Sequence, residues 1–122
     1  MNQFPFYWSL VGGVEQYIFK FITNASTFDP TFNVTSGILN WDLGDASSNV
    51  NANSLVHYYP TIENKTITLR EGSSKPNYVT AIYMDYDALV GTIDLSAFTS
   101  LNYLAINNNA SLNYLYLPDS SQ

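Results

Sequence analysis

Val79-Thr-Ala-Ile82-Tyr-Met84, Val90-Gly-Thr-Ile93-Asp-Leu95, Leu101-Asn-Tyr-Leu104-Ala-Ile106 and Leu112-Asn-Tyr-Leu115-Tyr-Leu117 are four hexapeptides, each starting eleven residues after the one before. Their first, fourth and sixth positions are aliphatic or Met throughout. Against a 46% hydrophobic background, that outcome has a chance probability on the order of one in ten thousand for a fixed frame. Each unit reads L-x-x-L-x-L, and its last three residues are strand chemistry that points two side chains inward. A polar residue stands three places after the strand in alternate units, as Asp87 and then Asn109, so the true repeat is 22 residues with two half-turns. Units of this kind cannot bury their apolar faces singly and must stack.

Working back from the repeat, Glu71-Gly-Ser-Ser-Lys-Pro-Asn77 is the one linker-like stretch, and the pattern before it differs. Residues 14–23 alternate at Tyr17, Phe19 and Phe21 with β-branched neighbours, which predicts a strand. Asn24 to Pro30 breaks it. Further strands are expected at Thr31 to Thr35, Ile38 to Asp42, Leu55 to Tyr59 and Lys65 to Arg70, with Gly37, the polar tract Asp45 to Ser54, and Pro60 to Asn64 between them. Short strands at this spacing indicate a sandwich, and no segment there keeps a helical period. The division predicted is an N-terminal arm at 1–13, a sandwich at 14–71, a linker at 72–77 and two 22-residue repeats at 78–122, all-β throughout.

Composition narrows the function. Four cations against ten carboxylates give a net charge of −6, which leaves no cationic stripe for phosphate, so nucleic acid is not an expected partner. With no cysteine there is neither a disulfide scaffold nor a thiolate metal site. The apolar run Phe4 to Trp8 is far too short to span a membrane, and no basic residue precedes Lys20 as one would in a secretory signal. Two origins fit that start: a virion component made inside the cell, or an excised piece of a secreted protein. Ten Tyr, seven Phe and two Trp are more aromatic surface than so small a core needs, so part of it is expected in an interface. Met1 to Val11, with Pro5 opposing a regular ladder, is read as an anchoring arm.

Leu101-Asn-Tyr-Leu-Ala-Ile-Asn-Asn-Asn109 resembles the leucine-rich-repeat consensus, and Leu89 to Leu101 looks like the convex half of repeats found in surface proteins of Bacteroides-like bacteria and their phages. That resemblance implies that Asn109 hydrogen-bonds backbone amides inside its turn, a role Asp87 shares. Upstream, Trp41-Asp42-Leu43-Gly44-Asp45, His57-Tyr58-Tyr59 and Thr66-Ile67-Thr68-Leu69 resemble the polycystic-kidney-disease-type (PKD) domain, an immunoglobulin-like sandwich with the pattern Trp-Asp-Phe-Gly-Asp-Gly, then His-x-Tyr, then a final alternating strand. Leu43 and Ala46 depart from it, and no Gly precedes the final strand. The resemblance implies that Asp42 and Asp45 organise a turn and that His57 packs on the sandwich and hydrogen-bonds a loop.

Catalytic constellations are poorly supplied. His57 is the only histidine, and neither a Gly-x-Ser-x-Gly nor a His-x-x-x-His spacing surrounds it. Asp85, Asp87 and Asp94 lack the glycine-rich nonapeptide of calcium-binding solenoids and read as solvated carboxylates, so no metal and no cofactor is expected. The candidate binding residues are tyrosines: Tyr83, Tyr86 and Tyr103 at outward positions on one face, with Tyr114 and Tyr116 likewise outward in the fourth unit. Exposed aromatics on a rigid sheet suit a protein contact or stacking on sugar rings, while cross-strand pairing alone would also explain them.

The expectation is therefore a non-enzymatic virion-surface or fibre-associated protein whose partner is a neighbouring virion protein or a second copy, with a glycan possible. A bacterial surface adhesin module and a carbohydrate-binding accessory domain are the alternatives. The last unit is as apolar as the internal ones, so the C-terminal end should be covered by a partner at Leu115, Tyr116 and Leu117. Leaving about 300 Å² of apolar surface there in water would forgo roughly 7 kcal/mol at about 25 cal/mol per Å².

Overall fold

The computed structural model describes residues 17–45, 50–70 and 74–118. The arm at 1–13 and the turn after Asp45 lie outside them. The described chain is all-β: β1 (Tyr17–Thr23), β2 (Thr27–Phe28), β3 (Thr31–Val34), β4 (Asn40–Asp42), β5 (Val50–Asn51), β6 (His57–Tyr58), β7 (Lys65–Arg70), β8 (Val79–Tyr83), β9 (Leu89–Asp94), β10 (Tyr103–Ala105) and β11 (Leu112–Tyr116). One 3₁₀ turn, Pro76–Tyr78, leads into β8. These strands form a six-stranded sheet in the order β11-β9-β1-β7-β4-β5, a three-stranded sheet β10-β8-β3 and a β2-β6 pair.

The repeat period reappears as register. In β8 and β10, parallel neighbours, Ala81 faces Tyr103, Ile82 faces Leu104 and Tyr83 faces Ala105, each pair 22 positions apart. After an irregularity between Leu112 and Tyr114, β9 and β11 pair likewise, with Ile93 on Leu115 and Asp94 on Tyr116. The ladder runs on through the connecting turns, where the Met84, Tyr86 and Leu95 amides donate to the Ala105, Asn107 and Tyr116 carbonyls. The two 22-residue coils are thus stacked in parallel register.

The upstream strands close the first coil. Strand β3 pairs antiparallel with β8 (Phe32 on Ile82), and β1 pairs antiparallel with β9 (Ile22 on Val90). The core runs across the 72–77 segment without a break: Phe19, Phe28, Phe32, Trp41, Ile67 and Leu69 on one side of it join Val79, Ile82, Met84, Leu89, Ile93, Leu95 and Phe98 on the other. Its described residues, 74–77, are tied in, with Ser74 and Pro76 buried and the Ser74 amide donating to the Ile38 carbonyl.

At the centre is a closed cycle of aromatic rings. Phe19 meets Phe21 (5.1 Å between centroids), Phe21 meets Phe28 (5.8 Å), Phe28 meets Trp41 (6.0 Å), Trp41 meets Phe32 (5.3 Å), Phe32 meets Phe98 (6.2 Å) and Phe98 returns to Phe19 (5.1 Å). Most of these contacts are edge-on, the arrangement ring quadrupoles favour. The cycle forms because β1 alternates, burying Phe19, Phe21 and Thr23 while exposing Lys20 and Ile22. Trp41 is buried without cost to its indole, whose N–H donates to the Ala52 carbonyl at 2.8 Å.

Candidate functional site

Asn109 fills the turn of the second coil. Its Oδ1 accepts from the Leu89 amide at 3.0 Å, and its Nδ2 donates to the Met84, Ile106 and Asn107 carbonyls at 3.0, 2.8 and 3.1 Å. One amide group thereby ties two coils together. Asp87 holds the same place one coil earlier, but its surroundings differ from the solvated state expected of it: the side chain is fully buried. The link between β2 and β3 reaches it, for its Oδ1 accepts from the Asp29 amide at 3.0 Å while Oδ2 has no hydrogen-bond partner. Burial first, then the nearby Asp29 and Asp85 carboxylates, push its carboxyl up to about 8, against the lowering effect of the Asp29 amide. Its backbone carbonyl accepts from the buried Thr23 hydroxyl, binding the turn to β1. The other two carboxylates organise backbone, Asp94 accepting from the Ser96 amide at 2.9 Å and Asp85 from the Asn107 amide. Among the described residues no three His, Asp or Glu side chains converge to hold a metal.

All five tyrosines are exposed, from 37% at Tyr83 to 72% at Tyr86. They do not share one face. Tyr83 and Tyr103 stand diagonally on β8 and β10, with ring centroids 5.2 Å apart and planes tilted by 38°. Tyr86 sits on the turn between β8 and β9 at φ 59°, held by its amide on the Asn107 carbonyl. Tyr114 and Tyr116 belong to β11, in the other sheet, beside Thr92 and Asp94. Alternation separates inward from outward positions, and two sheets of one coil each have an outward side, so the period alone cannot place the tyrosines together.

The upstream motif is held by local contacts. The Asp42 carboxylate accepts from the Gly44 amide at 3.0 Å and lies 3.3 Å from the Arg70 guanidinium, fixing a tight turn. His57 is half-buried, 2.8 Å from the Asp45 carboxylate and edge-on to Tyr59 at 4.6 Å. Tyr59 donates its hydroxyl to the Leu43 carbonyl at 2.6 Å, and burial with Asp45 and Asp42 nearby raises its phenol well above the ordinary range. Lys65 lies over the same ring, 4.3 Å from its centroid, and donates to the Thr61 carbonyl.

Two open grooves mark the surface, and only the second lies at an end that the sequence singles out. An open groove of about 400 Å³ runs over the outer face of β1 and β9, between Ile22, Val90 and Gly91; its only sequence signal is Ile22 at an outward position of an alternating strand. Another, of about 320 Å³, lies at the end of the second coil between Leu101, Leu104, Leu117 and Pro118. No helix among the described residues is long and apolar enough to cross a membrane. No family model, curated protein or solved structure matches the chain.

Proposed function

We propose that the chain is a non-enzymatic structural and binding protein of a phage virion surface, a capsid decoration or fibre-associated component. In this reading a PKD-type, immunoglobulin-like sandwich carries a short leucine-rich solenoid, and the partner is a protein of the same assembly. The observation that carries the reading is the join between the two parts: β1 and β3 pair with the first coil, so one rigid body presents tyrosines from both of its sheets. Rigid aromatics on strands give contact area at little entropic cost, which suits docking more than turnover. Imaging native particles with a labelled antibody against the chain should place it on the virion exterior. Particles that lack it, from cells that express it, would overturn the proposal.

A second reading, a carbohydrate-binding accessory domain, is favoured by the tilted Tyr83–Tyr103 pair, which offers two ring faces at a spacing a sugar can span. A glycan array separates the two: binding lost in Tyr103→Ala but kept in Tyr114→Ala would support it.

A further inference from the structure

The stack of coils is closed on one side and open on the other. At the closed side the chain supplies antiparallel strands to both half-coils, β3 to β8 and β1 to β9. At the other side β10 and β11 are the terminal strands of their sheets, with no strand among the described residues along their outer edges. Inward side chains lose cover in the same direction. Ile93 and Leu95 are fully buried, whereas Leu115 and Leu117, which continue the same columns one coil on, are 36% and 55% exposed.

Exposed strand edges are guarded by charge, proline, bulges or shortness, and of these β11 has Pro118 and the irregularity between Leu112 and Tyr114 but no charge. Residues 95–118 hold no Asp, Glu, Lys or Arg, although the chain carries a net charge of −6. An acidic chain meeting itself is penalised wherever like charges face each other, and from Leu95 to Pro118, ahead of Asp119, this end carries none. A charged partner would leave its own charges desolvated against the same surface.

We propose that this end is a self-association surface, on which a second copy docks end to end with its β11 antiparallel to β11 of the first. Antiparallel pairing is how the chain already covers the opposite edge of the stack. With Leu115 on its counterpart at the two-fold axis, its core column runs across the seam, while Tyr114 of each copy pairs with Tyr116 of the other on the outer side. The contact is isologous, so it closes at the dimer instead of growing into a fibre. It does not depend on the virion reading.

Sedimentation and light scattering of the full chain over a wide concentration range test it. The wild type should be a dimer, and Tyr116→Asp and Leu115→Lys should each weaken dimerisation at least about tenfold. Tyr58→Asp, at a still more exposed position on β6 but far from the end in sequence and sheet, should leave it unchanged. Circular dichroism checks each fold, and Tyr116→Asp decides should Leu115→Lys misfold. Because the chain has no cysteine, single Asn113→Cys, Tyr114→Cys and Leu115→Cys variants probe the seam directly. At least one should give a disulfide-linked dimer on mild oxidation, while Tyr58→Cys should not. A monomer at the highest concentration overturns the proposal, whatever foreign protein the end then binds. So does a dimer that persists in folded Tyr116→Asp, or one that no seam cysteine crosslinks.

Discussion

Asp87 and Asn109 occupy one position in successive coils, and the difference between carboxyl and amide there sets a pH dependence. Asn109 donates from Nδ2 to three carbonyls, whereas Oδ2 of Asp87 meets no donor. By the repeat it stands where Nδ2 does, and only a protonated oxygen can donate as the amide does. With its carboxyl raised from an ordinary 3.8 to about 8, folded Asp87 keeps a proton that the unfolded chain has released. Its contribution to stability is therefore full below about pH 4, declines as pH rises through the window to about 8, and is lost above it. Asp87→Asn donates at every pH. The unfolding free energy of the variant minus that of the wild type, from urea titrations, should be near zero at pH 4, widen up to pH 8 and then level off at a gain of a few kcal/mol. Groups that titrate identically in both proteins cancel in the difference, so parallel curves would show that Asp87 is ionised in the fold. A second residue-scale contrast comes from two glycines at φ 80°. A Cβ on Gly44 would lie 2.7 Å from the Thr66 carbonyl oxygen, while one on Gly91 would meet nothing within 4 Å. Gly91→Ala should cost only the backbone strain, about 1 kcal/mol, and Gly44→Ala at least about twice that in urea titrations.

At the scale of elements, Phe98 closes the aromatic cycle from a connecting segment between β9 and β10, touching Phe19 of β1 and Phe32 of β3. Phe98→Ala should lose about 3–5 kcal/mol by denaturant titration. Asn109→Ala, which strands the Leu89 amide and takes a donor from the Met84, Ile106 and Asn107 carbonyls, should lose about 2–4 kcal/mol; a loss under about 0.5 kcal/mol would mean that water replaces the amide. What could be read beforehand follows from how each element is held. Strand β7 was legible to the residue at Lys65–Arg70, and the 22-residue register followed from inward positions, because alternation records burial on one face. Strands β2 and β5 were not, being two residues each inside segments read as a break and a polar tract. Their partners hold them: β2 lies on β6, and β5 on β4 beside Trp41. The strand expected over Leu55 to Tyr59 shortens to His57–Tyr58 for the same reason, since the Leu55 and Tyr59 amides turn to the Pro30 and Ser26 carbonyls. The burial of Asp87 was signalled only by its place 22 residues before Asn109, because the amide it accepts from, on Asp29, is 58 residues away in sequence.

For the whole molecule, the question is whether the segments on either side of 72–77 are independent. Pattern separates them, since one alternates and the other repeats. Physics joins them: seven buried apolar side chains, Val79, Ile82, Met84, Leu89, Ile93, Leu95 and Phe98, enter the core that the upstream strands build. Without them β1 loses β9, β3 loses β8, and the rings of Phe19 and Phe32 open to water. The coils need the upstream strands just as much, for two coils are fewer than the roughly three that a stack usually requires. Burial on this scale outweighs chain entropy only narrowly even in an intact small domain. The full chain should therefore melt in one cooperative transition with coincident tyrosine and tryptophan signals, and the fragment 1–77 should show no cooperative transition at all. Tryptophan reports this well, because Trp41 lies within the ring cycle. A fragment 1–77 that melts cooperatively, or a full chain that unfolds in two steps, would show that the upstream strands stand alone and carry the coils as an appendage.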